Sequence, residues 1–146
     1  MTSDWRPKIY LCGTITADPK YIHWRTLLPA ALPDVEFLNP LRGKSTFSQD
    51  GLQQAEDAPY SEAGFVTRDL QDIDAADAVL LRMQDIPQRQ SIGTWFEFGY
   101  AHGLGIPVVV VATDYTIVDH PFVKRFATEV FSTLDEAAAY FRFLFG

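Results

Sequence analysis

Short apolar runs alternate with helix-patterned segments along this chain, and the alternation predicts a doubly wound α/β fold around a five-stranded parallel sheet. Two observations carry the prediction. Ala78-Val79-Leu80-Leu81 and Val108-Val109-Val110-Val111 are continuous apolar runs, as expected of strands covered on both faces. The segments between such runs place apolar residues at helical spacing and are punctuated by Gly, Pro and capping residues. At 146 residues the chain is expected to form one domain over 1–146, in a flavodoxin-like arrangement with helices on both faces.

Each element has its own local justification. Ile9-Tyr10-Leu11-Cys12 is an apolar run ended by Gly13 and reads as the first, buried strand. Asp18-Pro19 resembles an N-cap followed by proline at the first helical position. Tyr21, Trp24, Leu27 and Leu28 then recur at helical spacing, predicting a helix of about three turns limited by Pro29 and Pro33. Val35 to Leu38 alternates as a second strand and stops at Asn39-Pro40. Residues 40–60 hold no convincing element, and a stretch of that length inside a compact domain is commonly a functional loop or lid. A helix is expected from Ser61 to Asp74, with Phe65, Leu70 and Ile73 near one face and Asp69 and Asp72 adjacent on its surface. The third strand is Ala78–Leu81, followed by a polar connection from Gln84 to Gln90.

The next helix is expected to start near Ser91 or Gly93 and to end at Gly103-Leu104-Gly105, with Pro107 beyond as a stop. Val108–Val111 is the fourth strand. Thr113 to Lys124 reads as a loop, and Glu129-Val130-Phe131 as a short fifth strand. Thr133-Leu134-Asp135-Glu136 has capping-box spacing. It opens a closing helix with Leu134, Ala137, Ala138, Phe141, Leu144 and Phe145 on one stripe.

Composition narrows the function classes. Apolar residues make up 47% and charged residues 21%, ordinary for a soluble globular protein. The net charge of -7 argues against a nucleic-acid polymer or an anionic membrane as the main partner. The single cysteine, Cys12, excludes an internal disulfide, fits a reducing compartment and reads as a small buried strand residue. No signal-peptide pattern opens the chain and no apolar run approaches the ~20 residues of a membrane span, so a cytoplasmic location is expected.

Several familiar chemistries do not fit. No G-x-G-x-x-G follows a strand and no phosphate-loop lysine motif occurs. His23, His102 and His120 are scattered and Cys12 cannot complete a zinc set, so neither a metal nor a cofactor is expected. No serine lies in a nucleophile-elbow context. A phosphoacceptor receiver domain needs acidic residues after the first and third strands, where this chain has Gly13 and Arg82-Met83-Gln84.

Carboxylates remain. Ser91-Ile92-Gly93-Thr94-Trp95-Phe96-Glu97-Phe98-Gly99-Tyr100-Ala101 sets Glu97 among aromatics, where an unpaired carboxylate is costly to bury. Gly93 and Gly99 bracket it and permit close approach. In a doubly wound sheet, ligands bind beyond the carboxyl ends of the strands, where the strand order reverses. That edge gathers Tyr10, Gly13, Arg42, Ser91 and Glu97 toward one crevice, with Arg42 as an anion-binding candidate. Paired carboxylates there suit glycosidic chemistry, one at the anomeric carbon and one protonating the leaving group. Glu97 as nucleophile and Asp69 as acid fit this division, while Asp72, Asp74 and Asp77 compete as partners.

Three ordered motifs then carry a family resemblance: Ile9-Tyr10-Leu11-Cys12-Gly13; Arg68-Asp69-Leu70 with Asp77 eight residues after Asp69; and Gly93-Thr94-Trp95-Phe96-Glu97-Phe98-Gly99-Tyr100-Ala101. Together they resemble the nucleoside 2-deoxyribosyltransferase family, which also contains nucleotide N-glycosidases that cleave 2'-deoxynucleoside 5'-monophosphates. The resemblance implies a retaining double displacement. Glu97 would attack C1', Asp69 would protonate the departing base and deprotonate the incoming one, and Tyr10 would orient Glu97. It implies a deoxynucleoside and a free nucleobase as substrates, or a deoxynucleoside monophosphate, and Gly13, Arg42, Ser91, Gly93 and Asp72 are the expected substrate contacts. Ser91 stands where some transferases carry a sugar-binding acid and where the hydrolases place a phosphate-binding serine, so transfer to a base and transfer to water both stay open. The family implies a homo-oligomer in which a neighbour completes each site, and the stretch from Asp114 to Phe122 is the candidate contribution.

Overall fold

The computed structural model describes residues 4–13, 23–41, 62–84 and 92–146, without the side chains of 62–65. Five parallel strands form one sheet in the order β2-β1-β3-β4-β5, where β1 is Lys8–Gly13, β2 Glu36–Leu38, β3 Ala78–Arg82, β4 Val108–Val111 and β5 Glu129–Phe131. Helices α1 (Trp24–Ala31), α2 (Glu62–Ala75), α3 (Ile92–Gly103), α4 (Tyr115–Val118), α5 (Pro121–Phe126) and α6 (Leu134–Phe145) connect and cover it. The doubly wound parallel α/β fold expected from the alternation is the one observed.

The pleat sends alternate strand residues to two separate cores. Ile9, Leu11, Leu80, Val109 and Val111 face one side, where Trp24 and Leu28 of α1 and Ala137, Ala138 and Phe141 of α6 cover them. Tyr10, Cys12, Val79, Leu81, Val108 and Val110 face the other, against Ile73 of α2, Phe98 and Ala101 of α3 and Val123 of α5. Every residue of β3 from Ala78 to Leu81 is buried, which is why its apolar run is continuous. Strand order reverses between β1 and β3, the outgoing chain turning toward β2 from one and toward β4 from the other. The crevice at their carboxyl ends follows from topology alone.

Three expectations need amendment. Pro29 lies inside α1 and does not limit it. The missing N–H leaves one intrahelical bond unmade, and the helix stops instead ahead of Pro33. The stretch from Thr113 to Lys124 is no loop: it holds α4 and α5. Asp114 caps the first, its Oδ1 accepting from Thr116 N at 2.9 Å, and His120 Nδ1 caps the second by accepting from Phe122 N at 3.2 Å with Pro121 at the helix start. Of the closing stripe, Leu144 is 37% exposed, so α6 buries a narrower face than its spacing suggests. The Asp18-Pro19 cap and nearly all of the expected loop over 40–60 lie outside the described residues.

Two caps behave as their sequences imply. Thr133 Oγ1 accepts from Glu136 N and Glu136 Oε1 accepts from Thr133 N, both at 3.2 Å, closing the capping box of α6. At the end of α3, Ile106 N donates to Ala101 O and Gly105 N to His102 O, both at 3.0 Å, around Gly105 at φ +76°. A Cβ at Gly105 would meet no atom within 4 Å, so only the backbone conformation resists a side chain there. Gly105→Ala is therefore expected to lower unfolding stability by about 1 kcal/mol. Gly103→Ala, inside the helix and equally open, should be neutral or stabilising. Parallel urea melts of the two variants check the contrast.

Candidate active site

Glu97 lies on the second turn of α3, and its side of the helix is the covered one. Thr94, Phe98 and Ala101 are buried against the sheet, and Glu97 falls among them at helical spacing, partly buried. Phe96, one residue earlier, is 75% exposed. The helix thus turns a carboxylate inward and an aromatic outward, the reverse of ordinary patterning.

Strand β1 supplies what the carboxylate meets. Tyr10 and Cys12, two residues apart, emerge from the same face of the sheet toward α3. The Cys12 thiol donates to Glu97 Oε2 with Sγ at 3.1 Å, and Sγ also lies 3.8 Å from Thr94 O. The fully buried Tyr10 hydroxyl interacts with Glu97 electrostatically and as a weak donor, short of a hydrogen bond of full geometry. Asp69 of α2, 5% exposed, adds a second negative charge near the first. Burial chiefly pushes the Glu97 carboxyl up, to about 7, with Asp69 adding to the rise while the Cys12 thiol, the Tyr10 hydroxyl and the Arg25 guanidinium oppose it. Burial and the same carboxylate drive the Tyr10 and Cys12 groups well upward, so both stay protonated and serve as donors, not as bases.

The predicted residues divide as follows. Tyr10, Asp69 and Glu97 converge. Asp72 is buried on the same side of α2 as Asp69. Gly93 is exposed at the start of α3, and nothing lies within 4 Å of a Cβ placed there, so the approach to the helix start is open among the described residues. Gly13 has a structural reason of its own: a Cβ would stand 2.8 Å from Arg82 O and 3.2 Å from the Trp24 ring. Arg42 and Ser91 lie outside the described residues. Two competitors are occupied elsewhere, Asp74 accepting from the Tyr100 hydroxyl at 2.6 Å and Asp77 accepting from Lys8 N at 2.9 Å at the amino end of the sheet.

Sequence reasoning missed two residues. Cys12 was expected to be mere core, yet its thiol donates to Glu97 at 3.1 Å; the signal was its position two residues after Tyr10, on the same face of a strand. Arg25 was not singled out at all. It is 2% exposed, and its Nη1 and Nη2 donate to Leu11 O at 2.7 Å and Gly13 O at 3.1 Å. Nothing in a helical pattern marks one arginine as buried.

Fold and site together define a doubly wound α/β protein with a desolvated carboxylate pair at the carboxyl edge of its sheet. Among the described residues no group of His, Cys, Asp and Glu could hold a metal ion, and no helix is long and apolar enough to cross a membrane. Residues 9–136 match the family model for nucleoside 2-deoxyribosyltransferase, and the chain belongs to that family. No curated protein matches it. Among solved structures, a conserved protein from Enterococcus faecalis V583 superposes with a TM-score of 0.70 at 17% identity, over 96% of this chain and 99% of that one. The 2-deoxyribosyltransferase of Bacillus psychrosaccharolyticus gives 0.65 at 19% identity, over 91% of each chain. That of Leishmania mexicana gives 0.64 at 21% identity, over 92% of this chain and 96% of the other. These likenesses establish a shared fold.

A carboxyl held near 7 in the folded chain and near 4.5 when unfolded binds more protons in the folded state between those values. Stability contributed by Glu97 is therefore present below about pH 4.5 and is lost as pH rises toward 7. Glu97→Gln, which cannot ionise, should be more stable than the parent at pH 8 by on the order of 1–3 kcal/mol and nearly equal to it at pH 5. Urea midpoints at the two pH values test this; an equal difference at both would contradict it.

Proposed function

We propose that the protein is a nucleoside 2'-deoxyribosyltransferase that moves 2-deoxyribose between purine and pyrimidine bases through a covalent deoxyribosyl-Glu97 ester. The observation that carries the reading is the meeting of Glu97, Asp69 and the Tyr10 hydroxyl in one desolvated crevice, within a chain of this family. One Glu97 oxygen attacks C1' while the bond from C1' to the base nitrogen breaks and its electron pair leaves with the base. Asp69, protonated in the productive state, gives its proton to the departing base. The incoming base then attacks C1', returns a proton to Asp69 and frees Glu97. The reaction needs Glu97 ionised for attack and a proton on Asp69 for the departing base, the division of labour that a pair of carboxyl groups can supply.

The donors from β1 suit this cycle. Cys12 and Tyr10 stabilise the ionised Glu97 before attack and let go of its charge once the ester forms. Transfer to water would yield free deoxyribose through the same first step, and a 5'-monophosphate would then be the natural substrate if Ser91 and Arg42 bind phosphate. The exposed Phe122 at the mouth of an apolar cavity of about 480 Å³, with Phe96 and Tyr115 also exposed, suits a neighbouring subunit in a homo-oligomer, which would complete the site from the stretch holding Asp114.

Incubating the protein with deoxyinosine and free cytosine, and separately with deoxyinosine monophosphate, resolves the acceptor by chromatography. Deoxycytidine is the expected product; free base and sugar phosphate from the second mixture would indicate hydrolysis, and no turnover in either would overturn both. Glu97→Ala should lose at least about 1,000-fold in rate and Asp69→Asn about 100-fold or more. Activity should rise with pH through about 7 as Glu97 ionises, which a kcat/KM profile between pH 5 and 8 would read.

A further inference from the structure

Arg25 lies in the α1 layer, across the sheet from the helix that carries Glu97, yet its guanidinium ends at the same strand terminus. The reason begins with a proline. Odd-numbered carbonyls of β1 face β2: Pro7 O accepts from Glu36 N at 2.9 Å, and the parallel register pairs Tyr10 with Leu38. Continued two residues per step, the ladder would need an N–H from residue 40 for Leu11 O. Residue 40 is proline and has none. The orphaned Leu11 carbonyl and that of Gly13 beyond it are taken by the two terminal nitrogens of Arg25, a spacing that a planar fork spans and an ammonium does not.

Capping two carbonyls does not by itself call for a full charge. A guanidinium 2% exposed is costly to desolvate, and among the described residues no carboxylate pairs with it directly and its Nε has no partner. The Trp24 ring, 4.7 Å from the guanidinium carbon, covers it, and the same ring carries the Arg82 guanidinium at 5.8 Å. The missing Cβ of Gly13 makes room for this stack, since it would stand 3.6 Å from Arg25 Nη2 as well as against the Trp24 ring. The clamped carbonyls flank Cys12, whose thiol touches Glu97. The charges facing this cation are those of Glu97 on α3 and Asp69 on α2, with the Tyr10 and Cys12 groups of β1 between them and Arg82 at the end of β3.

We propose that Arg25 is a positioning residue for Glu97: it locks the end of β1 that presents Tyr10 and Cys12, and it supplies a buried positive charge that favours the ionised carboxylate in a desolvated crevice. The inference concerns the carboxylate used in the proposed reaction, but its test needs no turnover. The Glu97 carboxyl carbon is followed by ¹³C NMR in glutamate-labelled protein, assigned by its loss in Glu97→Gln. Arg25→Gln keeps a donor for one carbonyl but no charge, and should move the Glu97 titration midpoint upward by about one unit, a roughly tenfold loss of the ionised form near neutral pH. Arg25→Lys keeps the charge and should hold the midpoint within about 0.3 units of the parent. A folded Arg25→Gln with an unmoved midpoint, or an Arg25→Lys displaced as far as Arg25→Gln, overturns the proposal. Should Arg25→Gln fail to fold, adding Glu97→Gln removes the uncompensated carboxylate and is expected to restore folding; a double variant that stays unfolded also overturns it.

Discussion

A carboxylate drawn out of water needs compensation from somewhere, and among the described residues the compensation for Glu97 comes from the end of β1 and from the arginine tied to it. Burial costs Glu97 its easy ionisation, and Asp69 adds repulsion. Against these stand a thiol, a phenol and a guanidinium, all brought by β1 or tied to it. The strand is buried throughout from Ile9 to Cys12, so its donors have no alternative partners in water. Placing the carboxylate on a packed helix and its donors on a central strand also confines their separation. Sites built on regular elements hold geometry better than sites on loops.

That arrangement explains several local oddities at once. Pro40 ends the β2 ladder and would leave the Leu11 carbonyl bare; Arg25 covers it, together with that of Gly13, and delivers charge to the far side of the sheet. Gly13 is bare so that the Trp24 and Arg25 side chains can lie against the strand end, next to the β3 carbonyl of Arg82. Phe96 turns outward because the position on the inner face belongs to Glu97. Each follows once a charged group must be held where the sheet's strand order reverses.

The crevice also illustrates why a family match and a fold match answer different questions. The family model covers most of the chain and places it among nucleoside 2-deoxyribosyltransferases. Structures at 17 to 21% identity speak only to the shared sheet and helices. The reading of Glu97 as a nucleophile rests on local chemistry instead: a desolvated carboxyl near neutrality, a second carboxylate beside it, and donors that can release charge as an ester forms.

Much of this was legible from residue order. Continuous apolar runs marked the buried strands, the capping box marked α6, and Gly105 ahead of Pro107 marked the end of α3, because each depends on contacts within a few residues. Tyr10 and Glu97 could be grouped because a parallel sheet delivers strand ends and helix starts to one edge whatever the side chains, and Asp69 joined them as the acid that glycosidic chemistry and the family resemblance ask for. The short helices α4 and α5 were misjudged as loop, since a cap from Asp114 or His120 looks like ordinary turn composition until its hydrogen bond is seen. Arg25 was beyond residue order altogether, and for Cys12 residue order gave only its place on the Tyr10 face of the strand. Whether an arginine is solvated or buried depends on which carbonyls another strand leaves unpaired. Whether a strand cysteine is core or donor depends on which helix residue is packed 3.1 Å away, 85 positions further along the chain. Local patterns encode elements; long-range packing assigns charges to their partners, and only the folded chain carries that information.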